Sequence, residues 1–422
     1  MSFNTDVFPW GRIKTMGYKI VDVELSHPLA PIALAQHQDG VGLIARWHNR
    51  LVGFEMVACP PAGVLSAERL RSVADQLFAP RILVTKLEEE LLRQRPVAEP
   101  ALPNLSIAIC TKDRAERLSR LLASLDDIRW KSAFPFVEIL VVDNASVDSA
   151  TREAASRFKD IRYVFEPRAG LDFARNAALR SATGSMIAYL DDDVVVDRNW
   201  LEGLAKAYQD HPHAGGFTGL VLPLRLDTEA QLFFEKRGGF GRGFNRNEFH
   251  KTRFDNPLHP VGSGVLGAGC NMAFDRALLL SLGGFDEALD TGAPLPGGGD
   301  LDIFYRVLRS GRPMIYEPEY AVYHEHRETI DQLRRQYWTW GLGMMAFLVK
   351  SRRTDAELRA RHRAMVCWWF FDRLKELARA ARKLQGRDFR FGVAELLGGI
   401  YGLAGEYDRS RVRVQSIREQ NQ

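Results

Sequence analysis

The stretch "LSIAICTKDRAERLSRLLASL", residues 105–125, decides how this chain is read. Its first six residues form a short apolar run, the pattern of a strand covered on both faces. Leu118, Leu121, Leu122 and Leu125 then follow at helical spacing. Asp113, with Glu116 three residues on, is expected to form a capping box at the helix start. The strand-then-helix unit repeats. "FVEILVVD" precedes the polar turn "NASVDS" and a helix, "IRYVFE" precedes "LDFARNAALRSA", and "SMIAYL" supplies a fourth strand. Such alternation implies an α/β architecture, a mainly parallel sheet with helices on both faces.

In sheets of this kind ligands bind beyond the carboxyl ends of the strands. Thr111, Asp143 and Asp191 to Asp193 all follow predicted strand ends, so polar groups from separate segments should converge on one edge. One strand-end Asp can be merely a turn former, but recurrence at three ends argues for a site. Three adjacent carboxylates repel one another, and burying even one without a partner is costly. A divalent cation resolves the conflict, because Mg2+ or Mn2+ takes oxygen ligands and Mg2+ is commonly held by one or two carboxylates plus substrate phosphates. The competing reading is a solvated acidic turn capping the helix that begins near Asn199.

Around this body the chain divides further. Its 422 residues, 46% of them hydrophobic, suggest two or three units. Residues 1–95 read as a small α+β domain: "VGLIARWHNRLVGFEMV" gives two strands around a polar turn at His48 to Arg50, and Leu70, Val73 and Leu77 share one helical face. Pro96, Pro100 and Pro103 mark an extended connector over 96–104. The α/β body spans 105–345, and 346–422 is a basic, helical segment with sixteen Lys or Arg against nine Asp or Glu from residue 351 onward. There Val366, Phe370, Leu374, Leu377, Ala381 and Leu384 follow helical spacing beside several basic residues. Packing of this stripe on the body is the favoured reading, and peripheral contact with an anionic membrane surface is the alternative. No nucleic-acid-binding module organises the arginines. Four cysteines without a CxxC pair favour free buried thiols and a cytoplasmic setting. "MSFNTDVFPWGRIK" lacks the apolar core of an export leader, and no apolar run approaches the roughly 18 residues that span a bilayer.

Five segments occur in a familiar order: the opening stretch, "VEILVVDNASVDS", "EPRAGLDFARNAALRSATGSMIAYLDDDVVVDRNWLEGL", "GAGCNMAFDRALLLSLGGFDE" and "GGGDLDIFYRVLRSG". Over about residues 104–345 the chain resembles family-two glycosyltransferases of the GT-A fold. The resemblance implies an inverting transferase that moves a sugar from a nucleotide-diphosphate donor to an acceptor hydroxyl, with Mn2+ or Mg2+ as cofactor. The acceptor class is left open among glycans, lipid-linked glycans, peptides and small molecules. By the same resemblance Thr111 and Arg114 face the nucleotide, Asp143 bonds the base, and Arg175 and Asn176 line the donor pocket. Asp191, Asp192 and Asp193 match the DxD signature, with Asp193 and Asp191 toward the metal and Asp191 also toward the ribose. Asp300 matches the catalytic base, and His324 or His326 the downstream histidine that reaches the metal.

One departure is Gly299, where many members carry an acidic residue just before the base. Asp300 remains the better candidate over Asp302, whose position before Ile303 and Phe304 suits helix capping. His324 and His326 are read as pointing to opposite faces, so only one is expected to serve the site. A nucleotidyltransferase, or a sugar-nucleotide-binding scaffold without turnover, are the alternatives. An acceptor hydroxyl is a poor nucleophile, so a carboxylate that takes its proton contributes about a hundred- to ten-thousand-fold.

Overall fold

The computed structural model describes residues 17–93, 101–252, 255–292 and 294–421. The amino-terminal stretch read for a leader, and residues 96–100 of the proline-rich connector, lie outside the described residues.

The Leu105–Thr111 strand is buried along its whole length, and its side chains divide between two cores. Ile107 and Ile109 join Leu118, Leu121, Leu122 and Leu125 of the Ala115–Arg129 helix on one face. Ala108 and Cys110 join Ala174 and Ala178 of the Leu171–Ser181 helix, with Ile303 and Phe304 of the Gly299–Arg309 helix, on the other. Period-2 alternation between two apolar layers is the reason a continuous apolar run works here. Each fully buried leucine contributes about 1.5–3 kcal/mol.

The central sheet runs, edge to edge, Val194–Val196, Met314–His324, Gly216–Pro223, Asn271–Asp275, Met186–Asp191, Leu105–Thr111, Val137–Asn144 and Ile161–Glu166. The last four strands are parallel, as the repeated strand-helix units require, and Asn271–Asp275 enters antiparallel between the two parts. Parallel pairing resumes between Gly216–Pro223 and Met314–His324, with a register shift after Gly219. Gly219 is needed there, because a Cβ would collide with the carbonyl of Tyr320. That displaced carbonyl accepts from Asn271 Nδ2 at 2.7 Å instead.

The anticipated capping box does not form. Arg114 occupies the cap position without a side-chain cap bond, and Asp113 sits at φ 53°. Its left-handed backbone turns the carboxylate toward the neighbouring loop, where it accepts from Val147 N–H at 2.8 Å.

In the first unit the Gln38–Trp47 and Arg50–Ala58 strands pair antiparallel around His48 and Asn49, both at positive φ, the requirement of a two-residue hairpin. Leu70 and Val73 of the Ala67–Leu77 helix are buried as expected, whereas Leu77 is half exposed and Ala74 takes its place inward. Arg46 ties this unit to the sheet. Buried at 1% exposure, it pairs with Asp22, with Asp197 and with the Tyr323 hydroxyl.

At the other end of the chain, the Arg359–Arg382 helix buries Met365 and Trp369 against Phe347 and Leu348 of the Ile330–Thr354 helix. Val366, Phe370 and Leu377 pack at the margin of that core, while Leu374 and Leu384 stay exposed. Cys59, Cys110 and Cys270 are buried free thiols, but Cys367 is exposed. Among the described residues no helix is long and apolar enough to cross a membrane.

Removing one member of a buried pair leaves the other charge without compensation. Arg46→Ala is expected to cost about 3–5 kcal/mol in denaturant unfolding. Asp22→Ala, at a carboxylate 37% exposed, should cost about 1 kcal/mol or less.

Candidate active site

Sheet register delivers the strand-end residues together. Thr111 pairs with Asp143, and Cys110 with Asp191, so three parallel strands end level at one edge. After Asp191 the chain turns through Asp192 and Asp193 and enters Val194–Val196, which lies antiparallel to Val322–His324. Glu325 N–H donates to the Asp193 carbonyl at 2.9 Å and closes the turn. This pairing brings His324 beside the aspartates.

The three carboxylates have three environments. Asp192 is buried and accepts from Thr111 Oγ1 at 2.8 Å and Arg114 Nη1 at 2.9 Å, so these residues hold one another in the turn. Asp191 has the most exposed side chain, 3.6 Å from Arg175 Nη2. Limited access to water, then Asp193 and Asp192, push its carboxyl up to about 6 against the pull of Arg175. Asp193 is buried and held below the usual carboxylate range, burial being outweighed by His324 and by Arg327, Arg114 and Arg117. Burial pushes His324 itself down to about 4, so at neutral pH the arginines are the standing cations.

Among the described residues Asp193 Oδ1 has no hydrogen-bond partner, and His324 Nε2 stands 3.4 Å from it. Two ligands each about 2.1 Å from one ion, at ordinary coordination angles, lie roughly 3.0–3.4 Å apart. An orphaned buried oxygen facing an imidazole nitrogen at that separation fits a divalent cation. Among the described residues no three His, Cys, Asp or Glu side chains gather as a complete metal cage. Two protein ligands with the remainder from phosphate and water is a usual arrangement for Mg2+.

The histidine expectation needs correction. Positions two apart on extended chain share a face, and His326, two residues past the end of the Met314–His324 strand, meets His324 through their Nδ1 atoms at 3.1 Å, both imidazoles buried. His324 alone reaches Asp193, while His326 Nε2 contacts Glu235 Oε2 at 3.0 Å.

The remaining residues fall into place around Arg175. This buried guanidinium donates to Asp172 Oδ1 at 3.1 Å, and Asp172, Asp191, Asp290 and Asp300 all act on its charge. Asp172 is fully buried, its Oδ2 without a hydrogen bond among the described residues, and a Cβ at Gly299 would collide with that oxygen. The space beside the expected base is therefore filled by a carboxylate from another helix. Asp300 lies in the first turn of the Gly299–Arg309 helix, partly exposed, with Oδ1 accepting from Leu301 N–H at 2.8 Å. Gly269 makes room for it: a Cβ there would stand 3.1 Å from Asp300 Oδ2. Asp302 does not cap the helix. It is buried against Lys350 and Arg306, because its position on the inner helix face demands counter-ions.

Two residues predicted to face the donor are engaged elsewhere. Asp143 is buried, accepting from Tyr163 OH at 2.6 Å and Ser146 N–H at 3.2 Å. Asn176 is bound to the "GGFDE" loop, accepting from Phe285 N–H at 2.8 Å and donating to the Phe285 carbonyl at 2.9 Å. Sequence reasoning missed Glu235, Asp172, Asp290 and the aromatic Phe240, whose ring centre lies 4.9 Å from that of His324. Asp172 stands three residues before Arg175 in the quoted "LDFARN" stretch, an ion-pair spacing on a helix that could have found it; nothing in the local sequence marks the other three.

Comparison with known proteins bears on this geometry. Residues 106–276 match the family model described as glycosyl transferase family 2. This segment belongs to glycosyl transferase family 2. It includes the strand ends, the triple aspartate and the Asn271–Asp275 strand, but not Asp300 or His324. Over 293 residues the chain is 25% identical to a pre-mycofactocin glycosyltransferase of Mycobacterium tuberculosis, covering 68% of this chain and 56% of that protein. The chain thus spans about half the length of that relative. It is 24% identical over 317 residues to a glucosyl-dolichyl phosphate glucuronosyltransferase of Haloferax volcanii, covering 71% and 96%. Among solved structures, a mannosyltransferase from Pyrobaculum calidifontis in complex with GDP-Man and Mn2+ superposes with a TM-score of 0.45 at 18% identity, covering 79% of this chain and 97% of that one.

The acidic cluster beside the family 2 segment has a pH signature. Burial, with Asp300 and Asp191, pushes Asp290 up to about 7 despite Arg175. A carboxyl raised in the folded state keeps a proton that the unfolded chain has released, so it subtracts stability as pH rises from about 4 to about 7. Asp290→Asn should remove that falling component and raise neutral-pH stability relative to the unsubstituted protein, in denaturant melts at pH 4.5, 6 and 7.5.

Proposed function

We propose that this protein is an inverting glycosyltransferase that moves a sugar from a nucleotide-diphosphate donor to an acceptor hydroxyl. The observation that carries the proposal is the orphaned Asp193 Oδ1 facing His324 Nε2 at the edge where Thr111, Asp143 and Asp191 end level. The family 2 match and the names of its glycosyltransferase relatives support the reading.

Asp193 and His324 would hold Mn2+ or Mg2+, which when bound supplies Lewis-acid stabilisation to the leaving diphosphate. Asp191 stands beside them for a further metal or ribose contact. Arg114 and Arg327, already within ion-pair distance of Asp192 and Asp193, add positive charge where the leaving group gains negative charge. Arg175 holds Asp191 and Asp172 and so shapes the donor pocket from below. Thr111 and Arg114 act by fixing Asp192, Asp143 by fixing the turn under the nucleotide, and Asn176 by fixing the "GGFDE" loop. Asp300 takes the acceptor proton as the new bond forms, its partly exposed side chain packed close to Gly269. The C-terminal helices carry a separate part of the proposal. Trp368, Phe371 and Leu374 stand 48%, 66% and 56% exposed on a basic helix, which suits contact with an anionic membrane surface.

Incubation with a panel of nucleotide sugars and Mn2+ or Mg2+ tests the proposal, with donor hydrolysis and thermal shift as readouts. Asp300→Asn is expected to retain donor binding while transfer falls at least a hundredfold. Unchanged transfer would sink the base assignment. No response to any donor would sink the enzyme reading.

A further inference from the structure

Behind the proposed metal ligands stands a chain of polar groups whose outer members, Glu235 and His326, the proposed reaction does not use directly. It runs from Glu235 Oε2 to His326 Nε2 at 3.0 Å, from His326 Nδ1 to His324 Nδ1 at 3.1 Å, and from His324 Nε2 to Asp193 Oδ1 at 3.4 Å. We propose that Glu235 and His326 are positioning residues that set the tautomer of His324, so that Nε2 presents a lone pair rather than a proton toward Asp193. The inference rests on Asp193 and His324 being the protein ligands of the divalent cation.

The proton order follows from donor and acceptor inventory. A carboxylate only accepts, so His326 Nε2 must carry the proton that faces Glu235. In a neutral imidazole the other nitrogen is then an acceptor, so His326 Nδ1 accepts from His324 Nδ1–H. His324 Nε2 is left unprotonated. Asp193 Oδ1 leaves room for this order, since among the described residues it accepts no hydrogen bond and the nitrogen nearest it is His324 Nε2 at 3.4 Å. Two lone pairs facing each other are relieved by a cation between them. The opposite order would place a proton on Nε2 and block the same position.

The surroundings hold the chain in this geometry. Phe234 stacks edge-on to His326 with centroids 4.8 Å apart, and Phe240 does the same to His324 at 4.9 Å. Glu235 lies on the short Glu229–Lys236 helix, whose start is fixed by a capping box between Thr228 and Gln231. The side chain of Gln231 also donates to the His326 carbonyl at 3.3 Å, tying that helix to the histidine segment. Gly239, at φ 51°, carries the chain past the Glu235 carboxylate, where a Cβ would stand 2.5 Å from Oε2. Glu235 and the histidines are thus joined through backbone as well as side chain.

The test uses the full chain with Mn2+ alone, and Mn2+ with inorganic pyrophosphate as a diphosphate probe. Mn2+ affinity is read by calorimetry and electron spin resonance. Histidine-selective 15N spectra of the metal-free protein read the tautomer, the His324 signals being assigned by their loss in His324→Ala. The expected results are a His324 protonated at Nδ1, and Mn2+ binding weakened about 10- to 100-fold by either Glu235→Leu or His326→Phe. Thermal melts confirm that each variant is folded. His326→Phe suits the aromatic surroundings, and the wild-type tautomer needs no variant. A His324 protonated at Nε2 in the wild type would overturn the inference. So would wild-type Mn2+ affinity in both folded variants while His324→Ala weakens binding, an outcome that leaves the metal reading standing. Unchanged Mn2+ binding in His324→Ala would instead remove the metal reading and the inference with it.

Discussion

Antiparallel pairing of Val194–Val196 with Val322–His324 is the constraint on which the site depends. It begins one residue after the triple aspartate, so the acidic turn cannot swing into solvent as a free loop. The backbone bond from Glu325 to Asp193 fixes the turn from the other side. Like charges are thereby held in a partly dry setting, where each uncompensated ion costs several kcal/mol. The structure answers with positive charge from several elements. Arg114 faces Asp192, Arg175 faces Asp191 and Asp172, and Arg327 faces Asp193. Glu325 is held by Arg117, Arg120 and Arg225, which keeps an additional carboxylate from adding unpaired charge beside His324.

The outer units reinforce the same edge. Arg46 of the amino-terminal sheet binds Asp197, directly after the Val194–Val196 strand, and Tyr323, directly before His324. It therefore pins both strands of the critical pair from behind. At the carboxyl end, Lys350 of the Ile330–Thr354 helix pairs with Asp302, two residues beyond Asp300. Trp340 of that helix packs near Phe234 and Phe240, the rings that enclose the histidines. Segments that carry none of the expected site residues thus hold the strands and helix that do.

Much of the body was legible because its signals are local. Alternation of apolar strands with leucine-spaced helices is a property of short windows, and it led to the correct sheet, the correct helical faces and the level strand ends of Thr111, Asp143 and Asp191. Errors arose where a side chain had more than one partner to choose from. Asp113 left its helix for the next loop, and Asp302 chose Lys350 and Arg306 over a cap. Asp192 and Asn176 fit a motif by sequence yet spend their hydrogen bonds on Thr111, Arg114 and the Phe285 backbone.

By itself the sequence determined the α/β layering, the carboxylate-rich edge and the family order of its motifs, since periodicity and strand-end position are written in neighbouring residues. Only the tertiary structure decided which aspartate oxygens lack a hydrogen bond among the described residues, that His324 rather than His326 reaches Asp193, and that Glu235 and Asp172 stand in the site. Those outcomes depend on strand register and helix packing between segments distant in the chain, and the charge balance of a buried cluster is set by all of its members at once.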